Sequence, residues 1–370
     1  MRRVGWLLGL LACSRSTPDP GLSDAAVARY VRDDVDDDAA WGADVRAALV
    51  AAGQPVDEAH VCQVLAIVEQ ESGYDANPPV PHLGQIVETE LDAELARLGP
   101  LAPFGKEALL AHTPEGQTSS FLERLHTLKT ERDLDRLFRD IVAYHEATAP
   151  LVGKAARLFF PRLEERLNPI TTAGSMQVSV SFAQDHARAE GLDPAATREQ
   201  LYTRAGGLHY GTARLFAHEA GYEKPLYRFA DYNAGLYASR NAEFQSMLAD
   251  LTDTPITPDG DLLVYDDRGR IRDTDGETTR LLLAWAAASA PELTERRIRA
   301  DLAKEKTLAF EDTQTWTVLR GAWHTKRDKP APYARLPDVS LDSPKLSQDL
   351  TTRWFAEKVN QRYEACKKRA

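Results

Sequence analysis

The sequence lacks the features that mark several common functions. It has no long basic block, so nothing in it reads as a nucleic-acid footprint. The balance is acidic instead, with 56 Asp and Glu against 45 Lys and Arg. That bears on solubility and says little about fold. No stretch reaches the roughly 20 apolar residues needed to cross a bilayer. Internal repeats and low-complexity tracts are absent, so repeat architectures do not apply. No cofactor or metal site is expected. His145-Glu146 and His218-Glu219 each lack the second histidine of a zinc helix. The segment Gly99 to Glu107 has one residue too many for a phosphate-binding loop, and Glu107 stands where Ser or Thr is required. What is present is a 370-residue chain with 43% hydrophobic residues. That is enough for one large or two ordinary domains with a real core.

The N-terminus carries a signal. Met1-Arg2-Arg3 is a short cationic start, and Val4 to Ala12 is a short apolar run, so residues 1–12 read as a signal peptide. Leu10-Leu11-Ala12-Cys13 resembles a bacterial lipobox. That resemblance implies cleavage before Cys13, a lipid on Cys13 and a tether over 13–23. Ser14 after the cysteine then implies the periplasmic side of the outer membrane, with a membrane contact through the lipid. Only three cysteines occur. With Cys13 lipidated, Cys62 and Cys366 remain, either bridged or as two separate buried thiols.

The body reads as mainly helical. Helix-period apolar positions fill 24–34, 40–52 and 57–72, with Asp57 capping the third. Further helices are predicted over 86–98, 119–128, 131–147, 150–167, 176–190, 197–220, 223–229, 278–289, 292–306 and 348–368. Residues 253–261 form a turn cluster. Residues 262–273 alternate around Asp267-Arg268-Gly269 as a hairpin, and 325–347 read as an extended loop.

One carboxylate stands out. On the helix wheel Val61, Val64, Leu65, Ile67 and Val68 share a stripe, and Glu71 falls on it, whereas Glu69 lies at or beyond its edge. A desolvated carboxylate holds its proton more tightly and becomes able to donate it near neutral pH. Taken alone, the same placement also suits a structural hydrogen-bond partner.

Three short motifs widen the reading. Glu71-Ser72-Gly73-Tyr74 resembles the glutamate-serine motif of the soluble lytic transglycosylases, a goose-type-lysozyme-like family. Gly174-Ser175-Met176-Gln177 resembles that family's Gly-Leu-Met-Gln, and Asp231-Tyr232-Asn233-Ala234-Gly235 its Ala-Tyr-Asn-Ala-Gly. Gly207 to Leu215 is similar to the helix that precedes the last motif. Read without the family, the second segment is a loop-to-helix junction capped near Ser175, and the third is a buried Tyr beside a capping Asn.

The resemblance implies a lysozyme-like helical catalytic domain over 24–254, with a helical insertion at about 79–170. A C-terminal extension over 255–370 would carry the small hairpin. It further implies Glu71 as sole acid/base, with Ser72, Gly174, Met176, Gln177, Tyr232 and Asn233 lining a groove for peptidoglycan glycan strands. The implied reaction cleaves the MurNAc-β-1,4-GlcNAc bond and leaves a 1,6-anhydro end. A hydrolytic muramidase would need a second carboxylate, for which Asp75 and Asp231 are the candidates. A non-catalytic peptidoglycan-binding or envelope-scaffold lipoprotein is the alternative from another class.

Overall fold

Helices dominate the computed structural model, which describes residues 21–148, 168, 170–266, 269–341 and 350–370. Cys13, the predicted signal peptide, most of the tether and the predicted 150–167 helix lie outside those residues. No described helix is long and apolar enough to cross a membrane.

The first body forms around one central helix. It contains α1 (Asp24–Ala28), α2 (Asp38–Ala51) and α3 (Glu58–Glu71). Helix α3 starts where the Asp57 side chain accepts from the His60 N–H at 2.9 Å, an N-cap that satisfies one orphan donor. It is buried round most of its circumference, from Val61 to Val68, which is more than the single stripe expected. Later elements explain this. Helices α10 (Arg204–Leu215) and α16 (Thr352–Cys366) pack around it together with α2, and α11 (Pro225–Ala234) packs on α16. Full burial of Val61, Val64, Leu65, Ile67 and Val68 stabilises by about 1.5–3 kcal/mol each. That total outweighs the cost of desolvating one carboxylate at the helix end.

Cys62 and Cys366 are bridged, with Cα atoms 5.6 Å apart, and both are buried. Helix α16 is therefore an integral wall of the first core, not the end of an appended extension. The rest of the C-terminal region builds on α12 (Ala238–Thr252), which follows α11 directly. Phe244, Met247 and Leu248 of α12 join α13 (Glu277–Ser289), α14 (Glu295–Leu302) and α15 (Gln314–Arg327) in one cluster with Phe310 and Trp316. The partition at residue 255 therefore cuts through a packed unit.

The segment expected as an insertion comprises α4 (Leu83–Leu95), α5 (Ala102–Leu110), α6 (Phe121–His126) and α7 (Glu131–Thr148). Leu83 and Leu134 pack with Ala173, Val178, Leu201 and Tyr210. This segment thus leans on a short hairpin, β1 (Thr172–Ala173) with β2 (Val178–Ser179), and on the helices after it, α8 (Val180–Ala189) and α9 (Pro194–Leu201). Charges lock this contact. Buried Asp135 meets the Arg198 Nε at 2.9 Å and accepts from Asn168. Arg132, Arg136 and Arg139 surround Glu199, whose carboxyl is held down to about 2 by the Arg136 bond first, against burial and with the other two arginines.

Several predicted boundaries shift for identifiable reasons. The 24–34 helix ends at Ala28, ahead of the acidic run Asp33 to Asp38. The 197–220 helix is two helices, because the Thr203 side chain caps Gly206 and starts α10 anew. Among the described residues, the 262–273 hairpin shows as an antiparallel bridge between Tyr265 and Ile271, with the Arg272 N–H donating to the Val264 carbonyl at 2.8 Å. A second antiparallel pair, β3 (Ser340–Leu341) with β4 (Leu350–Thr351), lies just before α16.

Candidate active site

Glu71 is the last residue of α3. Ser72 ends the helix by donating its hydroxyl to the Val68 carbonyl at 3.0 Å. Gly73 (φ +60°) and Tyr74 (φ +70°) then turn the chain through the left-handed region. Tyr74 is buried with its ring edge-on to Trp41 at 5.3 Å, which offsets the strain of a non-glycine residue there. The turn leaves Glu71 partly exposed, with no hydrogen bond or ion pair among the described residues. Burial pushes its carboxyl up to about 7, with Arg362 pulling the other way. Glu69, two residues earlier on the same helix, has the opposite surroundings. Arg369 binds it at 2.8 Å, and Arg362 and Arg32 stand at 3.7 Å and 4.0 Å. One carboxylate is neutralised by three cations and the other is left to hold its own proton.

The second motif is the turn of the β1–β2 hairpin. The Gln177 N–H returns to the Gly174 carbonyl at 2.9 Å. Gly174 has φ +82°, and a Cβ there would lie 2.3 Å from the Leu201 carbonyl oxygen. Its small size thus allows the close backbone approach of the turn to Leu201. Met176 is fully buried against Gly211, where any Cβ would come within 2.4 Å of its sulfur. Ser175 is fully buried, and its hydroxyl has no partner among the described residues. The helix predicted over 176–190 begins only at Val180, with Ser179 as N-cap, so Ser175 caps nothing. Gln177 alone of the four stays partly exposed. Its Oε1 accepts from the Thr172 hydroxyl at 2.9 Å.

The third motif ends α11, which Pro225 starts with its fixed φ. The Tyr232 hydroxyl donates to the Met176 carbonyl at 2.8 Å. Burial raises the pKa of this phenol, and the negative charge of Glu71 raises it further, while Arg214 opposes. Tyr232 therefore touches the turn of the second motif and lies within the field of the acid of the first. Asn233 is exposed and binds elsewhere: its Oδ1 accepts from the Thr352 hydroxyl at 2.7 Å, at the start of α16.

The two candidates for a second carboxylate separate cleanly. Asp231 is fully buried. It accepts from the Ser239 N–H at 2.7 Å and the Tyr222 hydroxyl, and faces His218 Nε2 at 3.0 Å. A carboxylate sealed from solvent and bonded on both oxygens cannot activate bulk water, so the expectation for Asp231 is corrected. It braces the α11–α12 junction. Asp75 is exposed and bonds the Asn77 N–H at 2.9 Å.

Two basic residues at the site were not anticipated. Arg214 of α10 is part-buried, and burial lowers its pKa against the pull of Tyr232 and Asp231. Its signal lay in the Gly207 to Leu215 segment. Arg362 of α16 stands 3.7 Å from Glu69, and its charge acts on Glu71. Phe355, Val359, Arg362, Tyr363 and Cys366 recur at helical spacing, so a Cys62–Cys366 bridge would have placed Arg362 over α3.

The fold and the site define a mainly helical protein in which a lone acid ends a buried helix beside a hairpin turn. The chain belongs to the family described as Protein of unknown function (DUF1615), whose model matches residues 34–369. It is also similar to the Uncharacterized protein YaiW of Escherichia coli (strain K12). The two are 35% identical over 373 residues, covering 98% of this chain and 96% of that one. No solved structure matches. The family match spans α4 to α7 and the C-terminal helices along with the three motifs.

Proposed function

We propose that this protein is a peptidoglycan lytic transglycosylase with a lysozyme-like helical core and Glu71 as its single acid/base. The observation that carries the reading is the Tyr232–Met176 bond. Through it the second and third motifs meet beside an acid whose proton is retained to about pH 7. Glu71 would protonate the glycosidic oxygen between MurNAc and GlcNAc as that bond breaks. The resulting carboxylate would take the proton of the muramic 6-hydroxyl, and the 6-oxygen would bond to C1. This ring closure needs no water and gains from proximity. Gln177, partly exposed at the turn, would bind sugar. Ser72, Gly174, Met176 and Asn233 would act through the scaffold, since each is engaged within the protein. The hydrolytic alternative loses support with Asp231 committed to the core. We also propose lipid attachment at Cys13 and residence on the periplasmic side of the outer membrane.

The test is digestion of purified sacculi followed by mass analysis of released muropeptides. Anhydro-muropeptides from the wild type and none from Glu71→Gln are expected. Reducing ends alone would assign a hydrolase. Equal release by both proteins would remove Glu71 as the acid, and release by neither with retained binding to sacculi would leave a peptidoglycan-binding scaffold. Fractionation of Cys13→Ala should move the protein from membranes to the soluble envelope fraction.

A further inference from the structure

We propose that His186, Glu190 and His209 form a binding site for a divalent transition-metal ion, with Zn²⁺ the best fit to the donors. The site rests on observations separate from those behind the activity proposed above. His186 and Glu190 stand one helical turn apart at the C-terminal end of α8, so they share a face. His209 comes from α10. Each oxygen of Glu190 faces a different imidazole: Oε1 lies 3.4 Å from His186 Nε2, and Oε2 lies 3.2 Å from His209 Nε2. The three donor atoms all fall within 4.8 Å of one another.

The two carboxylate–imidazole spacings suit a zinc ion. Zinc binds His nitrogen and carboxylate oxygen at about 2.0–2.2 Å, so donors in a tetrahedral site are roughly 3.3–3.5 Å apart. Two imidazoles and one carboxylate suit zinc, whereas magnesium and calcium demand mostly oxygen. The rings are also held in place. His186 stacks on Phe182 at 5.8 Å, and His209 meets the ring of buried Tyr210 edge-on at 4.7 Å. All three groups remain about one-third exposed, so a fourth ligand position faces solvent. The sequence hides the site because its ligands come from two helices and match no zinc-helix spacing.

An ion here would clamp α8 to α10. Helix α8 follows the Gly174–Gln177 turn, and α10 carries the glycines on which that turn packs. Occupancy would therefore stiffen the turn from behind.

The alternative is a carboxylate shared by two imidazoles with no metal affinity. Calorimetric titration of tag-free, chelator-treated protein with ZnCl₂ separates the two. One Zn²⁺ per chain is expected, with no heat from MgCl₂ or CaCl₂. Loss of a ligand in His186→Asn or His209→Asn should weaken binding at least as much as loss of an outer-shell partner does, about 10–100-fold. Glu190→Gln, at an exposed position that leaves both rings in place, guards against misfolding and should weaken binding too. Zn²⁺ should raise the melting temperature of the wild type and leave that of His209→Asn unchanged. Absence of stoichiometric binding, or binding that all three variants retain, would overturn the proposal.

Discussion

The Tyr232 hydroxyl donates to the carbonyl of Met176, a residue far from it in sequence. This bond ties the end of α11 to the hairpin turn. In Tyr232→Phe the Met176 carbonyl loses its donor, at about 1 kcal/mol for the bond and up to about 3 kcal/mol if the oxygen stays dry. Thermal unfolding measures that loss. In the proposed reaction the rate of muropeptide release should fall by more than stability alone explains, because Gln177 would no longer be held in place. A wild-type rate would remove Tyr232 from the site.

The raised pKa of Glu71 gives a signed pH dependence. An unfolded glutamate titrates near 4.5, whereas the folded Glu71 carboxyl titrates at about 7. Between these values the native state keeps a proton that the unfolded chain has released. Stability from this group is therefore full below about pH 4.5 and lost as pH rises through about 7. Glu71→Gln should match the wild type in acid and exceed it above pH 7, by up to about 3 kcal/mol. Denaturant unfolding at both ends of the range would measure this, and a variant less stable in alkali would refute the burial argument. The proposed activity should decline above about pH 7 as the protonated form disappears.

Glu69 should respond in the opposite sense. Its carboxylate is bound by Arg369 and approached by Arg362 and Arg32. Glu69→Gln should cost roughly 1.5–3 kcal/mol, the range for hydrogen bonds to charged groups. Chemical denaturation of the two glutamine variants at pH 8 should therefore place them on opposite sides of the wild type.

The Cys62–Cys366 bridge closes a span of 304 residues. Its removal in Cys62→Ala/Cys366→Ala should cost about 2–5 kcal/mol. Reductant should lower the melting temperature of the wild type towards that of the double variant and leave the variant unaffected.

Asp231→Ala should destabilise the α11–α12 junction. It would strand the Ser239 N–H and the Tyr222 hydroxyl in a sealed interior. A stranded donor costs about 1–3 kcal/mol, so a large drop in melting temperature is expected. Stability equal to wild type would show that water fills the space.

Local chemistry was legible where it did not depend on distant chain. The Asp57 cap, the placement of Glu71 and the helical texture could all be read from spacing. The Gly-Ser-Met-Gln turn was missed because two-residue strands carry too little alternation to register as period two. Asp231 reads as a reacting group in sequence because the motif it resembles carries alanine there. Its partners, His218, Tyr222 and Ser239, lie on both sides of it in sequence, and only the α11–α12 corner brings them together. Arg362 was hidden for a related reason: an undecided cysteine pairing gave no cause to lay α16 on α3.

Helix α16 imposes an order on assembly. The helix that ends in Glu71 is made early in synthesis, yet one of its walls and its covalent partner come from residues 352–366. Any product that stops before Thr352 leaves the apolar surface of α3 exposed, Cys62 unpaired and both Glu69 and Glu71 without Arg362. A truncated chain would thus hold every recognisable motif and still lack the packing that raises the Glu71 pKa. The core around α3 is therefore closed only by the last helix of the chain.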